Sequence, residues 1–403
     1  MSELRALPMS DHPERDEIRL TDGAFYAGDP HRSFQWMREH APVYWDASGQ
    51  VWGVARYADV VAISKDPQTF SNAAGMRPDQ PPLPNMINLD DPAHKNRRGL
   101  VSRGFTPRRV AEHEPRIRDI SVELIERAKA QGRFDFVHDI AAWLPLIVIG
   151  DMLGVDPADH ARLLEWSEAM IMGSGTTSPE HFERASQAFE DYLTYQRRVI
   201  EDRRAQPRDD LVSQLVHAEV DGERLSDEGL LMESLLILIG GDETTRHVLS
   251  GGMYALLSEP EQFRTLARDP RRIPVAVEEM LRWVSPIQNM ARSAAHDLTL
   301  HGQHIEAGQK LLLLYPSANR DAAVFTDPYR FDPGRTPNDH LAFGIGAHYC
   351  LGASLARLEL RVLFEEVVRR APELTLAGSE PPPRRPSNFI CGIDSLPVEW
   401  RPS

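Results

Sequence analysis

The chain has 403 residues, 41% of them hydrophobic and 26% charged, with a formal net charge of −15. That length and balance suit a globular protein with a large buried core, and exclude a disordered tail or a long coiled coil. The acidic excess excludes a general nucleic-acid binder, because phosphate contacts need a concentrated positive surface.

The opening segment, MSELRALPMSDHPERDEIRL, holds no apolar run of signal-peptide length. No later stretch approaches the roughly 18–20 apolar residues of a membrane span. A cytoplasmic protein without stable membrane insertion is the expectation. An early strand is expected at VWGVAR near Val51. The proline-rich stretches at residues 78–84 and 381–386 are short and flanked by apolar residues, so they read as loops within one domain spanning residues 1–403. Residues 95–109 carry Lys95, Arg97, Arg98, Arg103, Arg108 and Arg109 without an acid.

Apolar residues recurring at three- and four-residue intervals predict helices over residues 117–131 and 230–257, the second long enough to cross a whole domain. Later strands are expected at LTLHGQHI near Leu298, KLLLLY near Lys310 and the tail SLPVEW. The pattern is a mostly helical body with an early strand pair and a late strand group.

Within the long helix, Gly240 and Gly241 stand side by side, although glycine in a helix interior costs about 1 kcal/mol relative to alanine. Close helix packing would explain them, and so would a ligand approaching the backbone. Asp242, Glu243, Thr244 and Thr245 follow at once, and polar residues in so apolar a helix need partners or a function.

The two cysteines, Cys350 and Cys391, could form one disulfide at most, a poor framework for this length. Cys350 lies in FGIGAHYCLG, residues 343–352. Gly346 permits a tight turn, Gly352 lets backbone N–H groups approach the sulfur, and Phe343 can exclude water beside it. The following run, ASLARLELRVLFEEVVRR, is an amphipathic helix whose N-terminal dipole favours a negative sulfur. A cysteine alone would read as a small buried residue, and Cys391, in FICGID, is read so.

The segment matches in full the cytochrome P450 cysteine-loop pattern F-x-x-G-x-x-x-C-x-G, and the chain resembles that superfamily over nearly its whole length. The resemblance implies a mainly α, single-domain triangular-prism fold with a small β-rich lobe. It makes Cys350 the axial thiolate ligand of haem b, iron protoporphyrin IX. The stretch from Gly240 to Thr245 resembles the family's oxygen-activating motif, with Glu243 as the acid and Thr244 as the alcohol of a proton relay to O2. The glycines would open the helix into a local bulge. Glu279 and Arg282 resemble the family's E-x-x-R pair, completed by Arg335 in FDPGR, a structural set of charge-assisted bonds. By family position the haem propionates would meet His94, Arg98, Arg292 and His348.

Several stretches, among them DDLVSQLVHAEVDGERLSD and EEMLRWVSPIQNMAR, are similar to actinobacterial members that hydroxylate the terminal methyl of the cholesterol side chain. This implies a sterol substrate, cholesterol or cholest-4-en-3-one. It also implies pocket positions at Leu83, Met86 and Ile87; at Met170, Ile171 and Met172; at Leu236, Ile239 and Gly240; and at Ile287, Phe389 and Ile390. The length leaves no room for flavin or iron–sulfur domains beside a haem domain. Electrons are therefore expected from NAD(P)H through ferredoxin reductase and ferredoxin, the latter docking on the basic run. The alternatives are a monooxygenase of another apolar molecule (fatty acid, terpenoid or macrolide), a peroxide-driven enzyme, and a haem-binding sensor or carrier. The peroxide-driven branch replaces the acid–alcohol pair retained here, and a sensor needs no relay.

Overall fold

The computed structural model describes residues 15–173, 178–219 and 222–400. Residues 1–14, part of the opening segment read above, lie outside the described residues. The helix expected over 117–131 runs Glu114–Lys129, and the one expected over 230–257 runs Asp227–Ser258. This central helix starts where the Ser226 hydroxyl accepts the Gly229 N–H at 3.1 Å, with Asp227 and Glu228 in its first turn favouring the dipole. Its 32 residues extend about 48 Å at 1.5 Å per residue. It is buried on almost every side, in a core cluster that runs from Met86 to Val398. Among the described residues no helix is long and apolar enough to cross a membrane.

The expected bulge at the glycine pair is absent, because the helix stays α throughout. The two glycines do different work. A Cβ on Gly241 would lie 2.6 Å from the Ile149 side chain, so this glycine admits the neighbouring helix Trp143–Met152. A Cβ on Gly240 would meet nothing within 4 Å, which leaves one wall of an internal space bare.

The early strands β1 (Val43–Asp46) and β2 (Val51–Val54) form the expected antiparallel pair. They are joined by β3 (Phe70–Ser71), β5 (Asn289–Ala294) and β8 (Lys310–Leu314) in one five-stranded sheet of order β1-β2-β8-β5-β3. Here β2 lies parallel to β8, with Val54 opposite Leu313, and this pairing gives β8 a neighbour on each side and explains its continuous apolar run. The tail strand β10 (Pro397–Trp400) lies between β4 (Arg133–Asp135) and β9 (Leu374–Leu376), while β6 (Leu298–Leu300) and β7 (Gln303–Ile305) make a hairpin.

Glu279, on the helix Ile273–Val284, is wholly buried and accepts five hydrogen bonds. Arg282 grips both of its oxygens at 2.8 Å, Arg335 donates from Nε at 3.0 Å, Asn338 at 3.1 Å, and the Asp332 N–H at 2.9 Å. Arg282 also donates to the carbonyls of Asn319, Pro328 and Arg330. The triad implied by the family resemblance is thus the knot that fixes residues 319–338, the approach to the cysteine loop. Glu279→Gln leaves the wholly buried Arg282 without its counter-charge and should destabilise the fold by about 3 kcal/mol or more. The exposed pair of Glu219 with Arg224, 2.9 Å apart, should cost about 1 kcal/mol or less on Glu219→Gln. Urea unfolding of both variants checks the contrast, and equal losses would remove Glu279 from this role.

Candidate active site

Cys350 closes a loop in which two glycines adopt backbone angles that other residues rarely take. Gly344 and Gly346 have φ of +65° and +82°, and a Cβ on Gly346 would collide with the Ser64 carbonyl oxygen. The Cys350 N–H donates to the Phe343 carbonyl at 2.9 Å, which folds the loop back on itself. Gly352 then serves as the N-cap of the helix Ala353–Arg370 and faces open space. Burial pushes the Cys350 thiol up, while the Gly352 and Ala353 N–H groups with Arg98 and Arg357 act the other way. A sulfur so surrounded suits a metal thiolate. Phe343 is held beside it by the Arg357 guanidinium, 4.6 Å above the ring. Arg357 is locked in turn by two 2.8 Å bonds to Glu278, whose carboxyl sits at about 2 despite its burial.

Above the sulfur a cavity opens, walled by Gly240, Thr244 and Val248 of the central helix on one side and by Met76, Met86 and Phe389 on others. Its polar groups gather at one edge, where His94, Arg98, Arg292 and His348 all reach the lining. The rings of His94 and His348 lie 4.1 Å apart, and burial with the nearby His94, Arg292 and Arg98 pushes His348 down to about 3. Arg98 donates to the Tyr349 carbonyl at 2.5 Å and Arg292 to the Ala291 carbonyl at 2.9 Å; among the described residues neither makes an ion pair. His94 Nε2 has no partner there either. His94 Nδ1 is paired with Asp91 at 3.3 Å, but an edge whose two guanidiniums have no carboxylate partner among the described residues calls for an anionic ligand, and two propionates on a flat, otherwise apolar ring meet that demand. The residues present therefore fit haem.

The comparisons agree with this geometry. A sequence profile described as Cytochrome P450 matches residues 175–397. The chain belongs to the cytochrome P450 family. It is 49% identical to the Steroid C26-monooxygenase of Mycobacterium tuberculosis, over 97% of this chain and 98% of that one. It is 40% identical to the Methyl-branched lipid omega-hydroxylase of Mycobacterium bovis, over 96% and 92% respectively. The crystal structure of CYP109E1 from Bacillus megaterium in complex with testosterone superposes with a TM-score of 0.85 at 34% identity, covering 93% of this chain and all of that one.

In this cytochrome P450 the polar quartet of the central helix divides. Thr244 lines the cavity, and its hydroxyl donates to the Gly240 carbonyl at 2.7 Å. Glu243 does not line it. It is wholly buried behind the wall, 3.2 Å from both Arg246 and Arg385 and 3.4 Å from His247. Burial opposes its charge, but His247, Arg246 and Arg385 hold it well below the usual carboxylate range. Its neighbour Asp242, bonded by the Ser167 hydroxyl at 2.7 Å, is driven upward by burial and by Glu243. A carboxyl group that does reach the cavity is Glu359, wholly buried, raised by burial and by Asp242, with Oε1 unpartnered among the described residues. Sequence reasoning missed it; the available signal was an acid four residues from both Leu355 and Leu363 on the apolar face of its helix.

Of the expected pocket residues, Met86, Ile87, Leu236, Ile239, Gly240, Ile287, Phe389 and Ile390 line the cavity. Leu83 and Met172 do not; they are 41% and 44% exposed at the surface. Met170 packs against the main core, and Ile171 sits behind the wall against Phe389 and Ile390. Met76 and Met290 take their places in the lining. The basic run is also divided: Arg98 serves the cavity edge, Arg97 pairs with Glu233, and Arg108 and Arg109 pair with Glu112.

Cys391 is buried, its thiol directed at the Arg385 carbonyl at 3.3 Å and away from the cavity. Cys350→Ser should abolish the carbon-monoxide absorption of a thiolate-ligated ferrous haem, since a hydroxyl supplies no soft anionic donor. Cys391→Ser should leave that absorption intact, and the reverse outcome would overturn the ligand assignment.

Proposed function

We propose that the enzyme hydroxylates a terminal side-chain methyl of a sterol, cholesterol or cholest-4-en-3-one, in the cytoplasm. Electrons would come from NAD(P)H through a ferredoxin reductase and a ferredoxin. The observation that carries the sterol reading is near-half identity, over essentially the full length, to a steroid C26-monooxygenase. The omega-hydroxylase relative supports end-of-chain oxidation independently of the steroid rings. The cavity agrees with both, since Met86, Ile239, Ile287 and Phe389 offer apolar surface and no anchor for a charged substrate.

Bound haem b supplies O2 binding and the oxidation of an unactivated C–H bond. The chain's part is to hold, orient and protonate. Cys350 gives the sulfur; Phe343, Gly346 and Gly352 shape its loop; His94, Arg98, Arg292 and His348 take the propionates. Thr244 Oγ1 keeps its proton on the Gly240 carbonyl and delivers it to the cavity by rotation about Cβ–Oγ1. Glu243 acts from behind the wall as the charged end of the relay, with water carrying protons between the two. Ferredoxin would dock on what remains of the basic run, above all the exposed Lys95 and Arg108.

Thr244→Ala should preserve sterol binding while diverting reducing equivalents into hydrogen peroxide, measured as peroxide formed per NAD(P)H consumed. Unchanged coupling would remove the hydroxyl from the relay. Incubation of the wild-type enzyme with cholest-4-en-3-one and a ferredoxin system should give the terminal alcohol. Oxidation on the rings, or no shift of the haem spectrum with any sterol, would overturn the substrate assignment.

A further inference from the structure

Glu233 is wholly buried near the start of the central helix and takes no part in the chemistry described above. Its Oε1 accepts the Met86 N–H at 2.8 Å and lies 3.4 Å from Arg97 Nη1. Oε2 has no partner among the described residues, and burial pushes the group up to about 7 against the pull of Arg97 and Met86. A buried carboxylate in this state stabilises poorly, and an apolar residue of similar size would pack at lower cost. Its presence calls for a use that an apolar side chain could not serve.

The group it holds is the roof of the cavity. Residues 72–88 carry little regular structure and are braced by asparagines: Asn72 Nδ2 donates to the Ile87 carbonyl at 3.1 Å, Asn88 Nδ2 to Leu83 at 3.0 Å, and Asn88 Oδ1 accepts the Met76 N–H at 2.9 Å. One end of the loop is tied to the sheet, where the Ala291 N–H donates to the Met76 carbonyl at 2.8 Å and Lys310 Nζ to the Ala74 and Arg77 carbonyls. Glu233 ties the other end, bonding the Met86 backbone to the same rigid helix that supplies Leu236 and Gly240 to the wall. Seven residues separate Glu233 from Gly240, about 10 Å along the axis. The anchor of the roof and the bare glycine near the reacting centre are therefore two marks on one ruler.

We propose that Glu233 is a specificity-determining positioning residue, clamping the Met86–Ile87 roof at a fixed distance from Gly240 and so selecting which carbon of the substrate's chain is presented for oxidation. The inference rests on the terminal-oxidation reading above. A roof that rises lets the chain advance or tilt, exposing the weaker tertiary C–H next to the terminal methyl.

The test compares holoenzyme carrying Glu233→Gln or Glu233→Met with the wild type, using cholest-4-en-3-one. Glutamine keeps an oxygen for the Met86 N–H and should keep the product ratio. Methionine removes the acceptor but fills the space, and Arg97 is open enough to reach water. Its ratio of terminal to tertiary alcohol should fall by about tenfold, with the carbon-monoxide spectrum unchanged. A folded Glu233→Met enzyme with the wild-type ratio overturns the proposal. Hydrogen exchange at the Met86 amide tests the clamp independently of any product: it should be protected in the wild type and exposed in Glu233→Met, and free exchange in the wild type also overturns it. Should the wild type oxidise the sterol elsewhere, the substrate reading falls while the exchange result still judges the clamp.

Discussion

The Glu279 carboxylate, gripped by Arg282 and Arg335, is the interaction from which the order of the proximal side follows. Three charges with almost no access to water are tolerable only because nearly every lone pair and N–H has a partner. Arg282 donates to the Asn319 carbonyl, and the Asn319 side chain accepts the Leu341 N–H at 2.7 Å. Two residues later comes Phe343, whose carbonyl receives the Cys350 N–H. A continuous run of hydrogen bonds therefore leads from the knot to the sulfur. Loop residues with positive φ would otherwise be free to choose among conformations; here the segment before them is already fixed.

On the central helix the same principle is applied with the opposite sign. Asp242 and Glu243 are adjacent, wholly buried and chemically alike, yet their surroundings drive their acidities apart. Glu243 faces two guanidiniums and an imidazole, whereas Asp242 accepts from a serine hydroxyl and has Glu243 and Glu168 raising it against Arg246. One carboxyl is held charged and the other is pushed toward neutrality within two residues of the hydroxyl that meets the cavity. Arg246 also reaches Glu168 of the helix His160–Gly173 at 2.8 Å, so the Glu243 carboxylate is tied through one guanidinium to a second element.

What was legible in the sequence was whatever depends on local spacing. The cysteine loop and the Glu279–Arg282 pair are each a few residues long, and their chemistry restricts what can stand at each place. Helical spacing also separates Glu243 from the cavity: Gly240, Thr244 and Val248 are four apart and share the cavity face, while Glu243 and His247 form the adjacent, buried row. Leu83, Met170, Ile171 and Met172 fall outside the lining for another reason. Apolarity marks them as candidates, but which side of a loop or of the helix His160–Gly173 turns inward depends on long-range packing and on bonds such as that from the Met86 N–H to Glu233. The parallel pairing of β2 with β8 was hidden likewise, because neither strand's pattern names its partner.

Terminal oxidation sets a geometric problem that the cavity solves without polar recognition of the reacting end. A primary C–H bond is stronger than the tertiary bond beside it, so intrinsic reactivity favours the wrong carbon and only position can reverse the choice. Position requires walls that do not give. One wall is a helix 32 residues long, buried on nearly all sides, and its bare patch is the size of one missing Cβ at Gly240. The opposite surface is softer, made of methionines on a loop that fits many shapes. Adaptable side chains on a backbone pinned at Met86 admit variation in the bulk of the substrate while keeping the depth of its tail constant, and depth is the variable on which the site of attack depends.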